Sequence, residues 1–157
     1  MPWEAELIKN ILVSEGWKED LLIWPLTRFV LLRKFTPSLE EHWKIRTPNK
    51  IRHFIWWAVR DSLPTKQNLK ARHLPVEETC ELRGDFQESF MHSIWLCEHA
   101  QLLWKFELCF VQYHRKGFRT FFDLLEEVLR KGSGFHVAWF SVIAWSLWQR
   151  QNHLREK

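Results

Sequence analysis

The sequence predicts a mainly α-helical fold: a compact helical domain with one short Cys- and His-bearing loop and a minor N-terminal hairpin. Three observations carry this. Apolar residues recur at helical spacing in two long stretches, 48–63 and 135–153. Ser and Thr in cap positions, and Pro and Gly in stop positions, fall at the ends of the periodic stretches. Finally, the 157 residues include eleven Trp and twelve Phe, large side chains that fill a core for one domain or for two small ones sharing it. A hydrophobic content of 46% with 27% charged residues excludes a disordered chain.

Residues 4–13 read as a short helix with Leu7, Ile8, Ile11 and Leu12 on one side. The runs 21–24 and 29–32 suit a weak hairpin around 25–28. Residues 38–45 read as a helix capped by Ser38, with Glu40 and Glu41 in its first turn. In 48–63, Thr47 is the expected cap and Pro48 the first helical residue, with Ile51, Phe54, Ile55 and Ala58 on the apolar side. Leu63, Pro64 and Thr65 break that helix, and Thr65 caps a second over 66–73 that ends before Pro75. The pair reads as an αα-hairpin with a basic outer surface.

Residues 76–85 read as a loop or short strand pair, and 88–96 as a helix carrying His92. A further helix runs from Cys97 to about 110. After a linker at 115–117, an amphipathic helix over 118–130 has Phe121, Phe122, Leu125, Val128 and Leu129 as its stripe. Residues 131–134 form a turn, and 135–153 a final helix apolar on nearly all sides, suited to the centre of the core or to a partner. The domain reading is an upstream segment 1–37, a domain 38–110 and a helical pair 118–157 packed on it.

The net charge is +4, but eight basic residues against two acidic ones concentrate an excess of +6 between 41 and 75. Such a segment points to a polyanionic partner, most simply RNA or DNA bound without sequence preference. The residues placed at that interface are Lys50, Arg52, Arg60, Lys66, Lys70 and Arg72, with His53 beside them. The competing reading is a solvated helix face. Trp56 and Trp57 are candidates for an exposed surface that docks a protein partner. Three cysteines without a framework spacing fit a reducing compartment, hence an intracellular place in nucleus or cytoplasm. No secretory signal core is visible, and 135–148 is too short and interrupted to span a membrane.

Cys80, Arg83, His92 and Cys97 stand at the spacing C-x2-R-x8-H-x4-C. A cysteine at 83 would complete four ligands for a structural zinc, which is held in a tetrahedron of thiolate and imidazole donors. Arginine keeps its proton and offers no lone pair. The expectation is therefore a degenerate site, with zinc bound weakly through Cys80, His92 and Cys97. Asp85, His99 or water are the substitute donors within reach along the chain; the alternative is a lost metal, with the three residues packed as ordinary core.

Several of these segments together resemble the reverse-transcriptase zinc-binding domain of plant non-LTR retrotransposons. Trp43, Pro48, Lys50, Ile51, His53, Phe54 and Trp56 match its first helix pattern, and Leu63, Pro64, Thr65, Asn68 and Leu69 its second. Cys80, Glu88, His92, Cys97, Ala100 and Trp104 match its knuckle. The tail over 140–156 and the segment 4–27 resemble the family's flanking regions, so the likeness covers most of the chain. It departs at Arg83 and at 26–37, which lacks the strand-like stretch usual there. The resemblance implies a domain from a protein that handles RNA and DNA. The polymerase and ribonuclease H that accompany it are not in this sequence, which looks like a stand-alone piece of a decayed or domesticated element. The four Asp residues, Asp20, Asp61, Asp85 and Asp123, include no adjacent pair for two-metal catalysis, and no nucleophile motif is present. The expected function is a non-catalytic zinc-binding-like domain with weak nucleic-acid binding. The alternative is a protein-interaction module or an inert remnant.

Overall fold

The computed structural model of the protein describes residues 47–80, 84 and 87–155. The expectations for 4–13, the hairpin at 21–32 and the helix at 38–45 lie outside the described residues, as do Arg83 and Asp85. Within the described residues the architecture is helical: α1 (Asn49–Val59), α2 (Lys66–Ala71), a π-helical turn (His92–Leu96), α3 (Glu98–Phe106), a 3-10 turn (Leu108–Tyr113), α4 (Phe121–Lys131) and α5 (Gly134–Arg155). One isolated antiparallel bridge, Thr79 with Gln87, is the β-structure among the described residues.

α1 begins one residue later than its sequence suggested. Pro48 is the cap, in extended backbone, and its carbonyl takes the amides of Ile51 and Arg52 at 3.0 and 3.1 Å. Thr47 sits outside the helix, and its buried Oγ1 has no hydrogen-bond partner. Ile51, Phe54, Ile55 and Ala58 face the core as expected. The helix stops at Val59, not at 63, because Asp61 turns left-handed (φ 48°). Ser62 N–H then reaches back to the Trp57 carbonyl at 3.0 Å, which closes the C-terminus without a glycine.

α2 starts where Thr65 predicts, with Asn68 N–H bonded to Thr65 Oγ1 at 3.1 Å. The Asn68 side-chain amide donates to the carbonyls of Asp61 and Leu63, at 2.8 and 2.9 Å. One amide group thus ties the whole interhelical turn, which gives the L-P-T-x-x-N pattern a physical reason. His73 (φ 62°) ends α2 in the same left-handed way as Asp61 ends α1.

The single helix expected over 97–110 is two elements. Glu107 leaves helical geometry (φ −94°, ψ 88°) and the chain continues as the 3-10 turn. The break places the Glu107 carboxylate 2.8 Å from Trp139 Nε1 on α5. α4 begins at Phe121, three residues later than expected, because Thr120 and Asp123 form a reciprocal capping box at 3.2 and 3.0 Å.

α5 lies at the centre of the core. Val137 to Ala144 are all buried, as are Leu147, Trp148 and Gln151. It packs on α1, on α4 and on the π-helical turn. Its helix-interior serines are satisfied locally: Ser141 and Ser146 donate to the carbonyls four residues back at 2.7 and 2.9 Å. Of the two readings open to this apolar helix, core and docking surface, its buried stretch takes the first. Around it the aromatics interlock. Trp104 is stacked on Phe140 at 5.2 Å and meets Phe110 edge-on at 5.3 Å. Phe90 meets Phe54, Phe121 and Trp148 edge-on.

Two surface features make stability depend on acid. The Glu127 carboxylate is held by Lys116, Arg130 and Lys131, which bring it down to about 2. His114 lies flat on Trp95 at 4.7 Å, and burial, helped by the Lys105 charge, lowers its proton affinity. Both groups bind protons more weakly folded than unfolded. Stability is therefore full above the ordinary histidine range, about 6.5, and falls as the unfolded chain takes up the proton that folded His114 refuses. Glu127 adds a second loss from about 4.3 down to its folded value. Urea unfolding against pH should show both phases. Glu127→Gln should remove the lower one and His114→Phe the upper one; a pH-independent midpoint in the parent protein would overturn the assignment.

Candidate metal centre and basic face

The three predicted donors come together. Cys80 Sγ, a ring nitrogen of His92 and Cys97 Sγ all lie within 4.8 Å of one another, and all three residues are buried. Three different backbone devices put them there. Cys80 ends a segment paired to the chain after the loop, with Glu88 N–H on the Glu78 carbonyl at 2.7 Å. Gly84 N–H reaches the Cys80 carbonyl at 2.7 Å, with Gly84 at φ 71°, where a side chain is strained.

His92 starts the π-helical turn. In an α-helix, residues five apart point about 140° away from each other. The wider turn closes with Cys97 N–H on the His92 carbonyl at 2.8 Å, and so brings the H-x4-C pair to one side. Cys97 is the N-cap of α3 without a side-chain cap hydrogen bond, with the amides of His99 and Ala100 in the first turn near its sulfur. They favour thiolate, but burial outweighs them and the nearby Cys80 adds to it, so the Cys97 thiol is pushed up.

The donor set fits zinc on three corners. With Zn–S bonds of about 2.3 Å, a tetrahedron sets two sulfurs about 3.8 Å apart, within about 1 Å of the observed limit. Both thiols are unbridged and so free to serve as ligands. Among the described residues no fourth Cys, His or carboxylate joins the group. His99, a candidate substitute, contributes its backbone amide and is not in the cluster.

Four residues before His92 stands Glu88, fully buried, whose carboxylate accepts from Gln151 Nε2 at 3.2 Å. Gln151 went unnoticed in the sequence, although it falls in register with the buried positions Phe140, Ala144 and Leu147. A polar residue on an apolar helix face is the signal that marks it.

This knuckle, the asparagine-tied hairpin and the buried Trp104 lie within one stretch that matches a known family. Residues 26–104 match the family described as zinc-binding in reverse transcriptase. The chain belongs to that family. An Arabidopsis thaliana relative named "Putative ribonuclease H protein" is 26% identical over 113 residues, covering 68% of this chain. The chain spans 18% of that relative's length. No solved structure matches the chain. Cys80, His92 and Cys97, together with Asn68, Glu88 and Trp104, all lie within the matched residues.

The basic residues divide into two groups. Lys50, Arg60 and Arg72 are exposed. The Lys50 ammonium lies over the Trp145 ring at 4.6 Å and the Arg60 guanidinium over Trp56 at 5.0 Å, cation–π contacts made at the surface. The others have work inside the fold. Lys70 pairs with Glu78 at 3.3 Å and Lys66 donates to the Thr79 carbonyl at 2.9 Å, so both brace the segment that leads to Cys80. Arg52 is half-buried and bonded to the Asn49 side chain, and burial lowers its pKa. Of the two Trp candidates for an exposed surface, Trp57 is 42% exposed, whereas Trp56 is buried at 5%. Among the described residues, no helix is long and apolar enough to cross a membrane.

Proposed function

We propose that this chain is a non-catalytic, metal-weakened member of its family that binds single-stranded RNA or DNA without sequence preference across the outer face of α1 and α2. The observation that carries the reading is the exposed Trp57 on the helix that also presents Lys50 and Arg60. An aromatic ring among cations offers a base a stacking surface and its phosphates a counter-charge. Arg83, at the position where the pattern takes a cysteine, leaves the metal centre with three donors and makes its zinc labile. The spaced aspartates supply no carboxylate pair, so added Mg²⁺ should leave RNA and DNA intact.

Fluorescence anisotropy with generic oligonucleotides at stepped salt tests the interface. Each neutralised phosphate of a single strand contributes about −0.7 to the log–log slope. Combined replacement of Lys50, Arg60 and Arg72 by Ala should flatten the slope by about 2 and leave the fold intact, because none of the three braces the knuckle. An unchanged slope, or no binding by the parent protein at low salt, would reject the interface.

A second reading has its own observation. Phe106 (77% exposed), Leu108 (85%) and Phe135 (64%) are brought near one another by the Glu107–Trp139 hydrogen bond and the stacking of Phe135 on Trp139. This apolar surface suits a protein partner whose binding survives high salt.

A further inference from the structure

Between the end of α1, the first turn of α2, residues 89–91 and residues 119–122 lies a cavity of about 500 Å³. Its floor is apolar, made by Ala58, Phe90, Met91 and Phe121, all buried. Its rim is polar, made by Asp61, Gln67, Arg119 and Thr120, all exposed. The size lies within the range of pockets that enclose small organic ligands, about 300–1,000 Å³, and exceeds what one base needs.

We propose that this cavity receives one unstacked base of the bound single strand, with preference for a base that carries an exocyclic amine. The inference rests on the nucleic-acid reading above and refines it: the phosphate contacts of the basic face are indifferent to sequence, and this pocket adds a modest base preference to them.

The placement is the first reason. Asp61 directly follows Arg60, an exposed cation of the basic face, so the cavity mouth borders that face. A strand tracking its cations passes the opening, and Arg119 supplies a cation on the far rim for the phosphate of the inserted nucleotide. The wall chemistry is the second. Phenylalanine rings and a thioether receive the flat face of a base whatever its identity. The rim selects. A carboxylate only accepts hydrogen bonds, so Asp61 favours the open amino groups of adenine, cytosine and guanine over uracil, whose single N3–H donor is flanked by two carbonyls that repel the carboxylate. It also repels phosphate, which keeps the backbone at the Arg119 side. Asp61 is fixed for this by the turn that ends α1, where Asn68 holds its carbonyl at 2.8 Å and its Oδ1 at 3.3 Å. Arg119 carried no signal in the sequence, since it lies outside the basic segment and only the fold brings it to α1.

The test compares oligo-A, oligo-C and oligo-U of one length on the whole chain at fixed low salt. The parent protein should bind oligo-U at least about fivefold more weakly than the other two, the scale of one base-edge contact. Asp61→Asn keeps the left-handed turn and should abolish that preference. Gln67→Trp, an exposed rim position, should fill the mouth and also abolish it while leaving the salt slope unchanged. Equal affinity for all three oligonucleotides in the parent, or a preference that survives both variants, overturns the pocket and leaves the basic-face reading standing. Binding to none of them overturns both.

Discussion

Arg83→Cys should raise zinc affinity about 100- to 1,000-fold. Structural zinc in small domains contributes about 10–16 kcal/mol over four ligands, so one restored corner is worth roughly a quarter of that, tempered by the cost of fixing the loop. The three existing donors already converge. Arg83→Ala is the control, since it removes the guanidinium without adding a ligand and should recover only a small part of the gain. The measurement is competition against a chromophoric chelator. Cobalt as a probe separates the two sites further, because a three-sulfur site gives stronger thiolate-to-metal absorption than a two-sulfur one. If the parent protein holds one zinc per chain as tightly as the variant, another donor closes the site and the degenerate reading is wrong.

Trp104→Ala should cost about 3–5 kcal/mol of folding stability, the scale for emptying a large aromatic site. Trp104 is fully buried and sits among Trp95, Phe110 and Phe140, with centroid distances of 5.2 to 5.3 Å. Its indole N–H also donates to the Ile94 carbonyl at 2.7 Å, inside the π-helical turn that sets His92 against Cys97. Trp104→Phe separates the two roles: it keeps most of the packing, leaves the Ile94 carbonyl without that donor, and should cost about 1–3 kcal/mol. Urea unfolding reads both. A Trp104→Ala midpoint near that of the parent protein would mean the aromatic cluster collapses around the gap and does not define the core.

The features that were readable in the sequence are those that local chemistry decides. Thr65 caps α2, the apolar stripe of α1 faces inward, and the Cys–His–Cys spacing marks a cluster. What escaped was decided at longer range or by one residue. A single extra residue per turn separates the π-helical turn from the regular helix expected over 88–96, and no propensity distinguishes them; only the H-x4-C spacing hints at it. Lys66 and Lys70 look on a helical wheel like part of a solvated charged face, yet their partners, Thr79 and Glu78, lie in the segment leading to Cys80. Trp56 and Trp57 are neighbours of the same type on one helix, and composition cannot say which of them is buried. Glu107 breaks its helix where its carboxylate meets Trp139, 32 residues along the chain.

The pairing of Glu88 with Gln151 bears on where a working fragment of this protein can be cut. The family match closes at residue 104, but the groups that complete the knuckle do not. Gln151 meets Glu88 from α5, and Phe140 covers Trp104 from the same helix. A polypeptide stopped at the edge of the match would expose Phe90, Trp95 and Trp104 together and leave the Glu88 carboxylate without its amide. It should aggregate, or fold only when metal is supplied in excess. The boundary of shared sequence is thus not a boundary of cooperative folding. The metal affinity of an excised knuckle peptide would describe a different molecule from the intact chain, in which α5 packs on the turn that carries His92.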